Sequence, residues 1–181
     1  LTKNTAGRLL KKFLEKIESK KSRVKMLNKW TNIVDGNRVF DMENEKLEQL
    51  EATDYSNIEQ VLVPYCTALK LKFTEKKAPF KIKDIAKRIK AGTGSLGSAR
   101  YYILLEGATE STDDDLILDM KEQGNPPLYR HMNEEEKNEY DKIYPNEGDR
   151  HAKAFQALAE HPDKYLGSIT KDGIAFSIKE R

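Results

Sequence analysis

From Thr5 to Trp30 the apolar residues Leu9, Leu10, Phe13, Leu14, Ile17, Val24 and Leu27 recur at spacings of three and four, with Lys and Arg between them. That period predicts an amphipathic helix, with a break near Ser19 to Ser22. Asp35, Gly36 and Asn37 signal a turn, and Val39, Phe40 and Met42 lead into an acidic stretch, Glu43 to Glu51, whose Leu47 and Leu50 suit a short helix. Tyr55, Ile58, Val61, Leu62, Tyr65, Leu69 and Phe73 again follow a helical period. Pro64 inside this window either kinks one helix or separates two. The first 75 or so residues therefore read as helical.

The pattern changes after Pro79. Between Phe80 and Ala91, Ile82, Ile85 and Ile89 fit a helical face, while Ile85, Lys87 and Ile89 fit strand alternation, and periodicity does not choose. Gly92, Gly94 and Gly97 then interrupt the chain, and Ala99 to Leu105 has the aromatic and β-branched content of a buried strand. Leu116 to Met120 is a further strand, closed by Lys121 on the face it shares with Ile117 and Asp119. After a polar loop with Pro126 and Pro127 and an acidic segment at Glu134 to Glu139, a helix is expected from Glu147 to His161, burying Ala154, Phe155, Leu158 and Ala159. A hairpin from Tyr165 to Ile178 turns at Asp172 and Gly173. The fold class expected is α+β: a helical segment over residues 1–78, then a small antiparallel sheet with one packed helix over residues 79–181.

Composition narrows the function classes. Hydrophobic residues make up 38% and charged residues 34% of the 181 positions, against roughly 45 to 50% and 25% in ordinary domains, so the core is thin for the length. No run approaches the roughly 18 apolar residues of a membrane span, and no secretory signal opens the chain, so a soluble, cytoplasmic protein without a membrane partner is expected. The single cysteine, Cys66, cannot form an internal disulfide, and His131, His151 and His161 lack zinc-site spacing. Cys66 is expected to be a buried, inert thiol, and the histidines to lie on the surface or at helix ends. The net charge of +2 hides an asymmetry: residues 1–100 hold 22 Lys and Arg against 12 Asp and Glu, and residues 101–181 hold 10 against 18. The basic amino-terminal helix is a solvated face or a footprint for a polyanion or acidic partner; no aromatic residues interleave with its lysines, so nucleic acid is not the expected partner.

The sharpest local feature is Gly92-Thr93-Gly94-Ser95-Leu96-Gly97, a GxGxxG, which lets backbone amides close on phosphate oxygens without side chains in the way. It fits a strand-to-helix turn of a dinucleotide fold, a hairpin loop over a nucleotide as in protein kinases, or an unliganded hairpin. The strand that follows favours the kinase-type geometry over the dinucleotide turn. Such a site needs a lysine on the next strand to reach the α and β phosphates and an acid on the following helix to hold that lysine. Lys121 qualifies by position, and Asp149 is favoured narrowly over Glu147 as the acid.

These residues carry a resemblance. Asp84 to Ile89, the glycine segment through Tyr101, Leu104 to Gly107, Lys121-Glu122, Asp149-Arg150 and Tyr165-Leu166-Gly167 together resemble, over residues 80–181, the second half of a bacterial family of unknown function assigned to the protein-kinase-like superfamily. The resemblance implies a kinase-like nucleotide-binding lobe that takes ATP with Mg²⁺, through Gly92, Thr93, Gly94, Ser95, Leu96, Gly97, Lys121 and Asp149. In that family a G-D-x-H-x-x-N segment and a metal-binding D-F-D precede the glycine loop. Neither occurs here, so no catalytic or metal-ligating residue is assigned to this chain, and a missing upstream part of the same protein is the expected partner. The family's K-E-A reads Lys121-Glu122-Gln123, and its G-E-R reads Gly148-Asp149-Arg150, with a shorter acid. The function implied is ATP-dependent phosphoryl transfer to an unknown acceptor, the piece itself being inactive. The alternatives are a non-catalytic nucleotide-binding or protein-interaction module, and polyanion binding through the basic amino-terminal helix.

Overall fold

The computed structural model describes residues 7–20, 23–72, 81–92 and 97–181. Strand alternation dominates its centre. Strands β3 (Leu47–Glu48), β4 (Ile82–Arg88), β5 (Arg100–Leu105), β6 (Leu116–Glu122), β7 (Gly167–Lys171) and β8 (Ile174–Glu180) form one antiparallel sheet in the order β3-β4-β5-β6-β8-β7. Because side chains alternate along each strand, Ile85, Ile103, Leu105, Leu116, Leu118, Met120, Phe176 and Ile178 share one apolar cluster, while Ala86, Tyr102, Leu104 and Ile117 join a second one.

Each face has its own cover. Helix α3 (Ala52–Lys72) lays Ile58, Leu62, Tyr65, Cys66 and Leu69 on the first. Helix α2 (Arg23–Trp30) and the hairpin of β1 (Thr31–Val34) and β2 (Asn37–Phe40) cover part of the second, with Leu27, Trp30 and Phe40 against Tyr102. Trp30 and Tyr102 meet edge to face with ring centres 5.1 Å apart, a geometry their quadrupoles favour. Each such buried side chain contributes about 1.5 to 3 kcal/mol over its exposed state. The chain on either side of residue 78 thus shares both cores.

Several local expectations are corrected. Residues 31–40 are a hairpin, not helix, with positive φ at both Asp35 (49°) and Gly36 (76°), the signature of a type I′ turn that matches strand twist. Leu47–Glu48 is a strand: Leu47 pairs with Arg88 and sinks into the second cluster, and that tertiary pairing overrides the short helical spacing. Residues 82–88 resolve to strand, and α3 runs unbroken through Pro64. An additional helix, α4 (Glu134–Ile143), forms where only an acidic segment was expected; Asn133 and Glu136 close a capping box and three glutamates complement the first turn. Helix α5 (Glu147–Leu158) buries Glu147, Gly148 and Ala152, whereas Phe155 and Leu158 are 46% and 88% exposed. The β7–β8 hairpin turns at Asp172 and Gly173 as expected. Helix α1 (Arg8–Lys20) leaves Leu9, Leu10 and Phe13 exposed. Cys66 is buried on α3.

Candidate functional site

The glycine segment joins β4 to β5, two neighbouring antiparallel strands, so it is a hairpin loop and not the strand-to-helix turn of a dinucleotide fold. Gly92 is exposed and Gly97 adopts φ 78°; Thr93, Gly94, Ser95 and Leu96 lie outside the described residues. The ladder carries this end of the sheet across to β6 and β8. Lys87 lies beside Tyr101, Tyr101 beside Met120, and the next pair is Arg100 with Lys121; Ser177 of β8 flanks Lys121 on the other side.

Most charged groups around Lys121 are committed. Arg100 holds the buried Asp119 through two contacts, one of them Nε to Oδ1 at 2.7 Å. That charge-assisted pair holds the Arg100 guanidinium even above its usual pKa range. The Ser177 hydroxyl accepts from Gln123 at 2.8 Å. Lys121 forms no hydrogen bond or ion pair among the described residues.

Helix α5 comes against this region because of Gly148: a Cβ there would lie 2.3 Å from the Phe176 carbonyl oxygen, so only glycine lets the helix start this close to β8. Asn146 caps it by accepting from the Asp149 amide. The two candidate acids are held elsewhere. Glu147 accepts from the Tyr140 hydroxyl at 2.8 Å and from Arg150 Nε; burial, followed by that bond to Glu147, pushes the Tyr140 phenol well above its usual range. Asp149 lies 2.7 Å from Lys153 one turn along the helix, close in distance but poorly aligned as a hydrogen bond. The anticipated Asp149–Lys121 pair is not formed among the described residues.

A residue that sequence reasoning passed over sits here. His151 stacks on Phe155 with ring centres 4.8 Å apart, and its Nδ1 is buried without a hydrogen-bond partner among the described residues. Burial holds its pKa below the usual histidine range, and the charges of Lys179, Arg150 and Lys121 push in the same direction. Lys179 Nζ lies 5.3 Å above the Phe155 ring. The available signal was the i, i+4 spacing of His151 and Phe155, which puts both on one side of the helix. His131 and His161 are exposed.

The opposite end of the same face carries another charged group. The fully buried Asp115 accepts from Lys83 at 2.7 Å and from the Gly107 amide at 3.1 Å, with Arg38 Nε 3.8 Å away. Arg38 donates to Thr112, Asn28 and Thr31 as well. With its donors occupied, this network tethers the β1–β2 hairpin to the sheet.

At the hairpin's end of the sheet Arg100, Lys87 and Lys90 are each paired with a carboxylate, and Lys121 is not matched by one among the described residues. Among the described residues no group of three or more His, Cys, Asp or Glu could hold a metal, and no helix is long and apolar enough to cross a membrane. No curated protein and no solved structure matches the chain. One family does, described as an uncharacterized protein conserved in bacteria (DUF2252), and the match spans residues 1–181, including the first 79 residues that the sequence resemblance had left out. The chain belongs to that bacterial family along its whole length.

Proposed function

We propose that this chain is the nucleotide-binding lobe of a kinase-like phosphotransferase, with the phosphates of ATP held between the Gly92–Gly97 loop and Lys121. The observation that carries the reading is Lys121 itself, an ammonium without a described partner on the strand next to a glycine hairpin, at the hairpin's end of the sheet. Helix α5, which follows β6 after α4, packs on β8, the strand paired with β6, so an acid-bearing helix comes after the lysine strand as such a site requires. The Mg²⁺ ligands and the phosphate acceptor lie, on this reading, outside the residues of this chain. A second reading, a nucleotide-binding or protein-interaction module without catalysis, is favoured by the engagement of Glu147 with Tyr140 and Arg150 and of Asp149 with Lys153, which leaves the lysine without its acid.

A lysine on phosphate contributes roughly 1.5 to 3 kcal/mol, a factor of about 10 to 150 in affinity. Lys121→Ala in the full-length protein should therefore weaken MgATP binding at least about tenfold with little change in melting temperature. Lys87→Ala, which removes the exposed pair with Glu48, should weaken it less than about threefold, since surface ion pairs contribute little. Calorimetric titration decides between them, and equal affinities for both variants would overturn the phosphate role of Lys121.

A further inference from the structure

We propose that His151 and Lys179 extend the anion site of Lys121, and that His151 takes up a proton from solvent when the nucleotide phosphates bind. This rests on the phosphate reading of Lys121 and adds two ligands and a pH dependence to it. The geometry comes from three elements. Lys121 on β6 and Lys179 on β8 belong to strands paired side by side, diagonal neighbours two residues apart on the same face: Lys121 stands beside Ser177, and Lys179 beside Asp119. Helix α5, drawn onto β8 by Gly148, supplies His151, and Phe155 beneath its ring is shared with Lys179.

The charged groups around His151 are predominantly cationic and unequally matched. On α5, Arg150 is committed to Glu147 and Lys153 stands by Asp149. On β6, Asp119 is taken by Arg100 of β5, while Lys121 remains unmatched among the described residues. On β8, Lys179 rests on the Phe155 ring without an ion pair among the described residues. Tyr140 of α4 is turned to Glu147. A histidine placed among such charges is neutral at pH 7, and its buried Nδ1 has no acceptor or donor partner among the described residues. A phosphate entering beside Lys121 reverses the local field, so the ring gains its proton and becomes a third cationic donor.

Linkage makes this measurable. Each unit by which the bound phosphate raises the His151 pKa multiplies the low-pH affinity by about ten. In imidazole NMR titrations of the full-length protein, with His151→Gln identifying the signal, saturating MgATP should raise the His151 pKa by about one unit or more and leave His131 and His161 nearly unmoved. Calorimetry should show wild-type affinity for MgATP rising about fivefold to tenfold from about pH 8 to about pH 5, beyond any change shared by His151→Gln. Lys179→Gln should weaken MgATP binding by about threefold or more at pH 7. If MgATP binds and depends on Lys121 but the His151 signal does not move, this inference falls and the phosphate reading stands. If wild-type protein does not bind MgATP at all, both fall together.

Discussion

The two faces of the sheet are built from the same strands and differ in kind. Under α3 the face is a continuous apolar layer from Ile85 to Ile178. Under α2 and the β1–β2 hairpin the other face has a smaller apolar patch around Tyr102, and on that side lie Asp115 with Lys83 and Arg38 at one end and Arg100, Asp119, Lys121, Lys179 and His151 at the other. The first face supplies burial that is non-directional and insensitive to pH. The second face holds fixed charges in partly dry surroundings, where a charge interacts more strongly than in water and a ligand can be oriented. A thin apolar content is therefore concentrated on one side, and the buried and half-buried charges gather on the other.

Substitutions can sharpen that contrast. The largest effect is expected at Asp115: Asp115→Asn leaves Lys83 and Arg38 without their buried counter-charge and should cost about 3 to 5 kcal/mol in urea unfolding. Leu118→Ala on the apolar face should cost about 2 to 5 kcal/mol through its cavity, with the same loss at pH 6 and pH 8. A loss below about 1 kcal/mol for Asp115→Asn would show that the charged face is not held by its charges. Next in size is Gly148→Ala, whose methyl meets the Phe176 backbone; lifting α5 should cost about 1 to 3 kcal/mol, and MgATP affinity should fall with it.

The smallest effect is a pH slope. The fold lowers the His151 pKa, so the folded chain binds a proton less readily than the unfolded chain. The histidine's contribution is then present above its unfolded pKa near 6.5 and is lost as pH falls through the folded value. Unfolding free energies should fall less steeply from pH 7 to pH 5 in His151→Gln than in the wild type, by an amount under about 1 kcal/mol after solvent screening of a half-exposed ring. Parallel slopes for the two proteins would mean that the cationic surroundings do not act on His151.

Local signals were sufficient for much of this architecture. The α+β class, strands β5 and β6, the β7–β8 hairpin with its Asp-Gly turn, and the long helix α3 follow from alternation, period and turn chemistry confined to short windows. So does the place of Lys121 at the end of its strand. What those windows could not contain was decided between distant segments. Leu47 becomes strand because Arg88 offers it an edge to pair with. Helix α5 turns Gly148 and Ala152 inward and leaves Leu158 in solvent because it meets β8 through its first turns only. His151 looked like a surface histidine until β6 and β8 brought two lysine charges near it. Periodicity identifies which side of an element is apolar; which charges surround a given side chain depends on contacts formed across many intervening residues, and only the tertiary structure makes them.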